Sequence, residues 1–160
     1  MSDTKTLDVA ESVANGITIV AQFPKVGPDE LFAYLVRPEL LKRWWPPVAE
    51  LEPKLNGQYH FSWPKQNWDL RGTFTEYSKG KRLQFTWRWD HEPIDATTVA
   101  LMFERAKEGG TKLTLNHRGY TDDAVGRKLR DEHLEGWKYF LGELQKQAGS
   151  RPSPPNTVLR

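Results

Sequence analysis

Two spacings divide this chain. Between Gln58 and Arg118 apolar residues return at every second position, and after about Asp122 they return at every third or fourth. The first spacing places apolar side chains on one face of successive strands, and the second places them along one stripe of a helix. A sheet with one apolar face and a helix with one apolar stripe have to cover each other. The clearest strand is Lys81 to Asp90, KRLQFTWRWD. Leu83, Phe85, Trp87 and Trp89 share one side of it, and Gln84, Thr86, Arg88 and Asp90 share the other.

The remaining elements follow from the same patterns. Gly16 to Phe23 reads as a strand rich in β-branched residues. Pro28 suits a first helical position, and Asp29 and Glu30 complement the positive helix end. Pro38 starts a second short helix, PELLKRWW, which Pro46 and Pro47 stop. Strands are then expected at Glu50 to Pro53, Gln58 to Trp63, Asp69 to Tyr77, Thr97 to Arg105 and Lys112 to Arg118. Turns at Asn56-Gly57 and Gly109-Gly110 separate some of them. Tyr59, Phe61, Trp63 and His117 fall on inward positions. The helical stretch runs from about Asp122 to Ala148, with Leu129, His133, Gly136, Trp137, Phe140, Leu141 and Leu144 on one face. Thr121 is its expected N-cap and Gly149 its stop. Residues 1–15 read as a flexible segment, 16–148 as the domain, and 149–160, with three prolines, as a disordered tail.

This order defines an α+β, helix-grip fold: a curved seven-stranded antiparallel sheet around a long C-terminal helix, with two short helices after the first strand. One helix cannot cover seven flat strands spaced about 4.8 Å apart, so the sheet must curl. A curled sheet around one helix leaves room between them, which predicts a pocket.

Bulk properties narrow the function. With no cysteine, the chain has neither disulfides nor thiolate chemistry, which fits a cytoplasmic protein. The net charge is +2, and Lys and Arg are scattered, so no nucleic acid partner is expected. The first residues do not read as a secretion signal, and no window suits membrane insertion. The four histidines lack metal-ligand spacing, and no nucleophile elbow or phosphate loop is present, so neither metal nor cofactor is expected.

Several segments in this order, PELLKRWWPP, NGQYHF, RLQFTWRW, GGTKLTLNHRGY and HLEGWKYFLGEL, resemble the START-like (Bet v 1-like, SRPBCC) superfamily. Within it they are similar to the C-terminal domain of the activator of Hsp90 ATPase, over roughly residues 16–147. The Hsp90 activator has an additional N-terminal domain for which these 160 residues leave no room, so co-chaperone activity is not expected to come with the likeness. The resemblance implies either a binder of hydrophobic small molecules, a polyketide cyclase or aromatase, or a protein-interaction module with a protein partner.

Candidate ligand-binding residues are Tyr59, Phe61, Trp63, Phe85, Trp87, Trp89, His117, His133 and Trp137, with Trp44 and Trp45 at a cavity mouth. Each indole buries about 150–250 Å² in a core, so packing alone also accounts for them. His117 and His133 either meet a ligand or move protons, or are core histidines satisfied by a neighbouring group. Trp44 and Trp45 either gate the pocket or plug into the sheet. Gly136 either lets the helix bend or pass close to a strand, or is merely tolerated, at a cost of about 1 kcal/mol against Ala. The primary expectation is a hydrophobic or aromatic small molecule held between sheet and helix.

Overall fold

The computed structural model describes residues 7–9 and 15–149. Its elements are β1 (Leu7–Val9), β2 (Gly16–Phe23), α1 (Pro28–Val36), α2 (Pro38–Leu41), β3 (Val48–Leu51), β4 (Gln58–Trp63), β5 (Trp68–Ser78), β6 (Arg82–Trp89), β7 (Thr97–Arg105), β8 (Thr111–Arg118) and α3 (Ala124–Gln147). The strands form one antiparallel sheet in the order β1-β2-β8-β7-β6-β5-β4-β3. This is the helix-grip architecture with eight strands rather than seven. The added strand pairs Leu7 with Ala21 and Val9 with Ile19, within the segment expected to be flexible. Residues 1–6 and 10–14 of that segment, and the tail beyond Gly149, lie outside the described residues.

Alternation governs every central strand. Ile17, Ile19, Ala21 and Phe23 of β2 and Leu113, Leu115 and His117 of β8 point inward, as do Val99, Leu101 and Phe103 of β7. The outward side is polar and internally paired. Asp90 accepts from Arg71 at 3.0 Å and Glu76 from Arg82 at 2.9 Å, which accounts for two of the strand carboxylates.

The second short helix is only one turn long, ending at Leu41 instead of running through Trp45. Trp45 precedes Pro46, which disfavours helical backbone there, and neither proline can donate an N–H. Lys42 to Trp45 close instead through turn bonds such as Trp45 N–H to Leu41 O at 3.0 Å. On α3 the N-cap is Asp123, not Thr121. Its carboxylate accepts from the Gly126 N–H at 2.8 Å, and the Thr121 hydroxyl donates to that same carboxylate at 2.8 Å. The Gly126 bond holds the Asp123 carboxyl below its usual pKa, with Thr121 contributing next.

α3 buries Leu129, His133, Trp137, Leu141 and Leu144, one side chain per turn. It docks along the β2 side of the sheet. Arg130 Nε donates to Gly16 O at 2.8 Å, and Gln145 Nε2 donates to Gln22 O at 2.9 Å. Tied to that half, the helix faces β4–β6 across a gap that side chains alone must span.

Candidate functional site

That gap is solid at one end and hollow at the other. At the solid end, Tyr59 packs on Phe61, Phe74 and Phe85 with ring centroids 4.7, 5.6 and 5.5 Å apart. Gly72 permits this: a Cβ there would fall 2.4 Å from the Tyr59 ring. The Tyr59 hydroxyl donates to Thr86 O at 2.6 Å, and burial raises its pKa well above the ordinary value. Phe61 and Phe85 therefore pack as core at this end, and Tyr59, whose hydroxyl is already committed, borders a different groove on the outer side of the sheet.

At the hollow end, Trp45, Trp63, Trp68, Trp87, Trp89, Trp137 and Phe140 enclose a cavity of about 270 Å³, with His91, Glu92, Glu132, His133 and Gly136 completing the wall. Trp87 is its hub. It lies 5.8 Å from Trp45, 5.7 Å from Trp89 and 5.1 Å from Trp137. Trp63 meets Trp89 at 5.2 Å. No strand lies close to the helix at Gly136 among the described residues. A Cβ there would find nothing within 4 Å, because the space beside it opens toward the cavity.

The paired tryptophans divide their work. Trp44 is a buried plug whose Nε1 donates to Tyr34 O at 3.0 Å, pinning the turn to α1. It does not line the mouth. Trp45 stacks on Trp44 at 5.3 Å and turns its other side to the cavity.

Both histidines lie in a buried chain of hydrogen bonds. His117 is 0% exposed. Its Nδ1 accepts from Trp137 Nε1 at 3.0 Å, so the proton resides on Nε2, which donates to Thr97 Oγ1 at 2.7 Å. Burial, and secondarily the neighbouring His133, hold its pKa well below the ordinary value. The Tyr120 hydroxyl donates to His133 Nδ1 at 2.6 Å, and His133 Nε2 donates to the two Glu92 oxygens at 3.0 and 2.9 Å. Burial first, and the Glu92 charge next, push the Tyr120 pKa upward, so the phenol keeps its proton. His117 is thus a satisfied core histidine away from the wall, while His133 forms part of the wall.

Sequence reasoning did not single out Glu92, Tyr120 or Trp68. Glu92 and Tyr120 come from loops with no period to orient them. Trp68 left a legible signal, because it pairs with Trp63 across a four-residue turn. Among the described residues Trp87 Nε1 is buried without a hydrogen-bond partner, as is Asn15 Oδ1. A buried polar atom of this kind in a native fold calls for an explanation.

A larger groove, about 650 Å³, lies elsewhere and includes Glu50, Glu52, His60, Arg71 and Arg88. Beside it, His60, Asp69 and Ser62 resemble a hydrolytic triad by composition only. Asp69 Oδ1 and Ser62 Oγ both approach His60 Nε2, at 2.8 and 3.2 Å, so the imidazole cannot relay between them through its two nitrogens. No group of three or more potential metal ligands occurs among the described residues. No helix among them is long and apolar enough to cross a membrane.

Sheet, gripped helix and the two short helices define a protein of the START-like superfamily. Within that class the chain belongs to the family described as activator of Hsp90 ATPase homolog 1-like protein, which matches residues 25–149. CalU16 from Micromonospora echinospora is similar in structure, with a TM-score of 0.75 at 19% identity, covering 97% of this chain and 81% of that chain. MLL2253 from Mesorhizobium loti gives 0.72 at 19%, covering 82% and 94%. DynU16, a protein in the dynemicin biosynthetic locus, gives 0.71 at 14%, covering 82% and 46%. At these identities the likeness is one of fold. No curated protein matches the sequence.

Proposed function

We propose that the protein binds a compact, largely apolar small molecule in the tryptophan-lined cavity. One observation carries this: six indoles, those of Trp45, Trp63, Trp68, Trp87, Trp89 and Trp137, wall a space of about 270 Å³ that His133 and Glu92 also border. Ligand sites have this make-up, mostly apolar walls with a few convergent polar groups. Burial supplies the affinity, and His133 and Glu92 supply the orientation. The test is a titration with a panel of small apolar and aromatic molecules, read by tryptophan fluorescence and by the indole N–H resonances. Binding shifts the Trp87 and Trp137 signals, and Gly136→Leu, which puts a side chain into the space, abolishes the shifts. A panel in which no member moves either signal defeats the proposal.

A cyclase-like second reading has its own support in the Glu92–His133–Tyr120 chain. A carboxylate orients an imidazole that accepts a hydrogen bond from a phenol, and the imidazole borders the cavity. Such a chain is able to move a proton to or from a bound substrate. It requires turnover that His133→Ala or Tyr120→Phe removes while binding persists.

A further inference from the structure

We propose that the outer groove of about 650 Å³ is a second binding site, and that it takes a short zwitterionic peptide. The ammonium end of the peptide lies over β3, and its carboxylate end lies over β5 and β6. This site is separate from the tryptophan cavity, so its failure leaves the small-molecule reading intact.

Strand register sorts the charges of the groove. Glu50 stands opposite His60, His60 opposite Arg71, and Arg71 opposite Arg88, so one outward row crosses four strands. The acids, Glu50 and Glu52, stand at or beside the β3 end of this row, and the arginines stand at its β5–β6 end. Two of the basic groups are answered locally: Asp69 meets His60 at 2.8 Å, and Asp90 meets Arg71 Nε at 3.0 Å. Arg88 is exposed and has no hydrogen bond or ion pair among the described residues. It stands directly across from Arg71, and like charges in that relation are unfavourable. A carboxylate between the two guanidinium groups relieves the repulsion and takes the planar, two-pronged contact that arginine favours. An anion alone also meets Glu50 and Glu52, so the ligand needs a cation at its other end.

The floor of the groove suits peptide groups. Between the Arg71–Arg88 and Phe74–Phe85 pairs the β5–β6 ladder is interrupted, and a register shift follows between Phe74 and Glu76. Thr86 O accepts from the Tyr59 hydroxyl at 2.6 Å, and the Thr73 N–H donates to Thr86 Oγ1 at 2.9 Å. A Cβ at Gly72 would fall 2.0 Å from Thr86 O, so this approach of the strands requires glycine. Irregularities of this kind bend a sheet and are over-represented beside functional sites. They leave a polar surface here. The Thr86 hydroxyl, having accepted one bond, is left to donate, and the Gln58 amide offers both a donor and an acceptor. Length agrees as well. Four strands span three gaps of about 4.8 Å, about 14 Å in all. An extended tetrapeptide, at about 3.3 Å per residue, covers about 13 Å.

The experiment titrates the full chain with three forms of tetra-alanine by calorimetry in low salt. These are the free peptide, its N-acetylated form and its C-terminal amide. The free peptide is expected to bind about fivefold more tightly than either blocked form, the upper range for one exposed ion pair. That margin is expected to vanish in about 1 M salt, where exposed charges are screened within about 3 Å. The backbone amide signals of Thr73, Thr86 and Arg88 are expected to move while the Trp87 and Trp137 indole signals stay. Arg88→Gln removes the preference over the amide and keeps the preference over the acetylated peptide. Glu50→Gln combined with Glu52→Gln does the reverse. Blocked forms that bind as well as the free peptide overturn the zwitterion site, and so does a free peptide that does not bind in low salt. Movement of the indole signals in place of those backbone amides puts the peptide in the tryptophan cavity and overturns the groove. The apolar panel decides the small-molecule reading in every case.

Discussion

Two indoles with ring centroids 5.1 Å apart meet opposite circumstances. The Trp137 N–H donates to His117 Nδ1, and the Trp87 N–H has no acceptor among the described residues. Trp137→Phe therefore strands a buried acceptor, whose cost is about 1–3 kcal/mol, whereas Trp87→Phe removes a donor that was already stranded. Both changes lose similar ring volume, so the first is expected to destabilise by about 1 kcal/mol more than the second. Urea unfolding at constant slope measures the difference. His117 makes a second prediction, in pH. Its folded pKa lies well below the ordinary 6.5, so below that pH the unfolded chain binds a proton that the folded chain refuses. The stabilisation is complete above about pH 6.5 and declines as pH falls from there toward the depressed folded value. His133 and Tyr120 face the ring. Urea midpoints between pH 5 and 7.5 are expected to slope upward with pH, and His117→Gln to flatten that slope.

Two glycines along α3, Gly126 and Gly142, stand in opposite surroundings. At Gly126 a Cβ would lie 1.9 Å from Thr121 O, so the loop passes directly over the first turn. Gly126→Ala is expected to lower the melting temperature although Ala is favoured in a helix by about 1 kcal/mol. At Gly142 nothing lies within 4 Å, and Gly142→Ala is expected to gain up to about that amount. Thermal melts of the two variants should move in opposite directions. Element bounds were legible in proportion to how local their causes are. β4 and β7 begin and end where alternation and turn residues put them. β1 was not legible, because three residues are too few to carry a period and only the pairing with β2 makes them a strand. The N-cap was displaced from Thr121 to Asp123 for a similar reason: two capping residues stand close together, and the Gly126 contact decides between them.

At the scale of the whole molecule, the sequence specified which rings point inward but not whether they touch. Period-two spacing put Trp63, Trp87 and Trp89 on the inner face, and helical spacing put Trp137 and His133 opposite them. Whether such rings fill the space depends on where the helix is tied, and Arg130 and Gln145 tie it to the β2 side. The same face therefore holds a packed Tyr59–Phe85 end and a hollow tryptophan end. A fold that keeps a hollow beside an unencumbered helical glycine has set aside stability there, a familiar opposition between function and stability. Gly136→Leu tests that opposition directly. Removing a mid-helix glycine favours the helix by roughly 1 kcal/mol, and the new side chain enters open space rather than a neighbour. The variant is expected to be more stable than the parent protein without ligand. With a ligand from the apolar panel at a hundred times its dissociation constant, the parent should gain about 2.7 kcal/mol and overtake the variant. The variant should gain nothing. Thermal shifts of both proteins, with and without that ligand, measure all four states, and a variant that gains as much as the parent places the ligand outside this cavity.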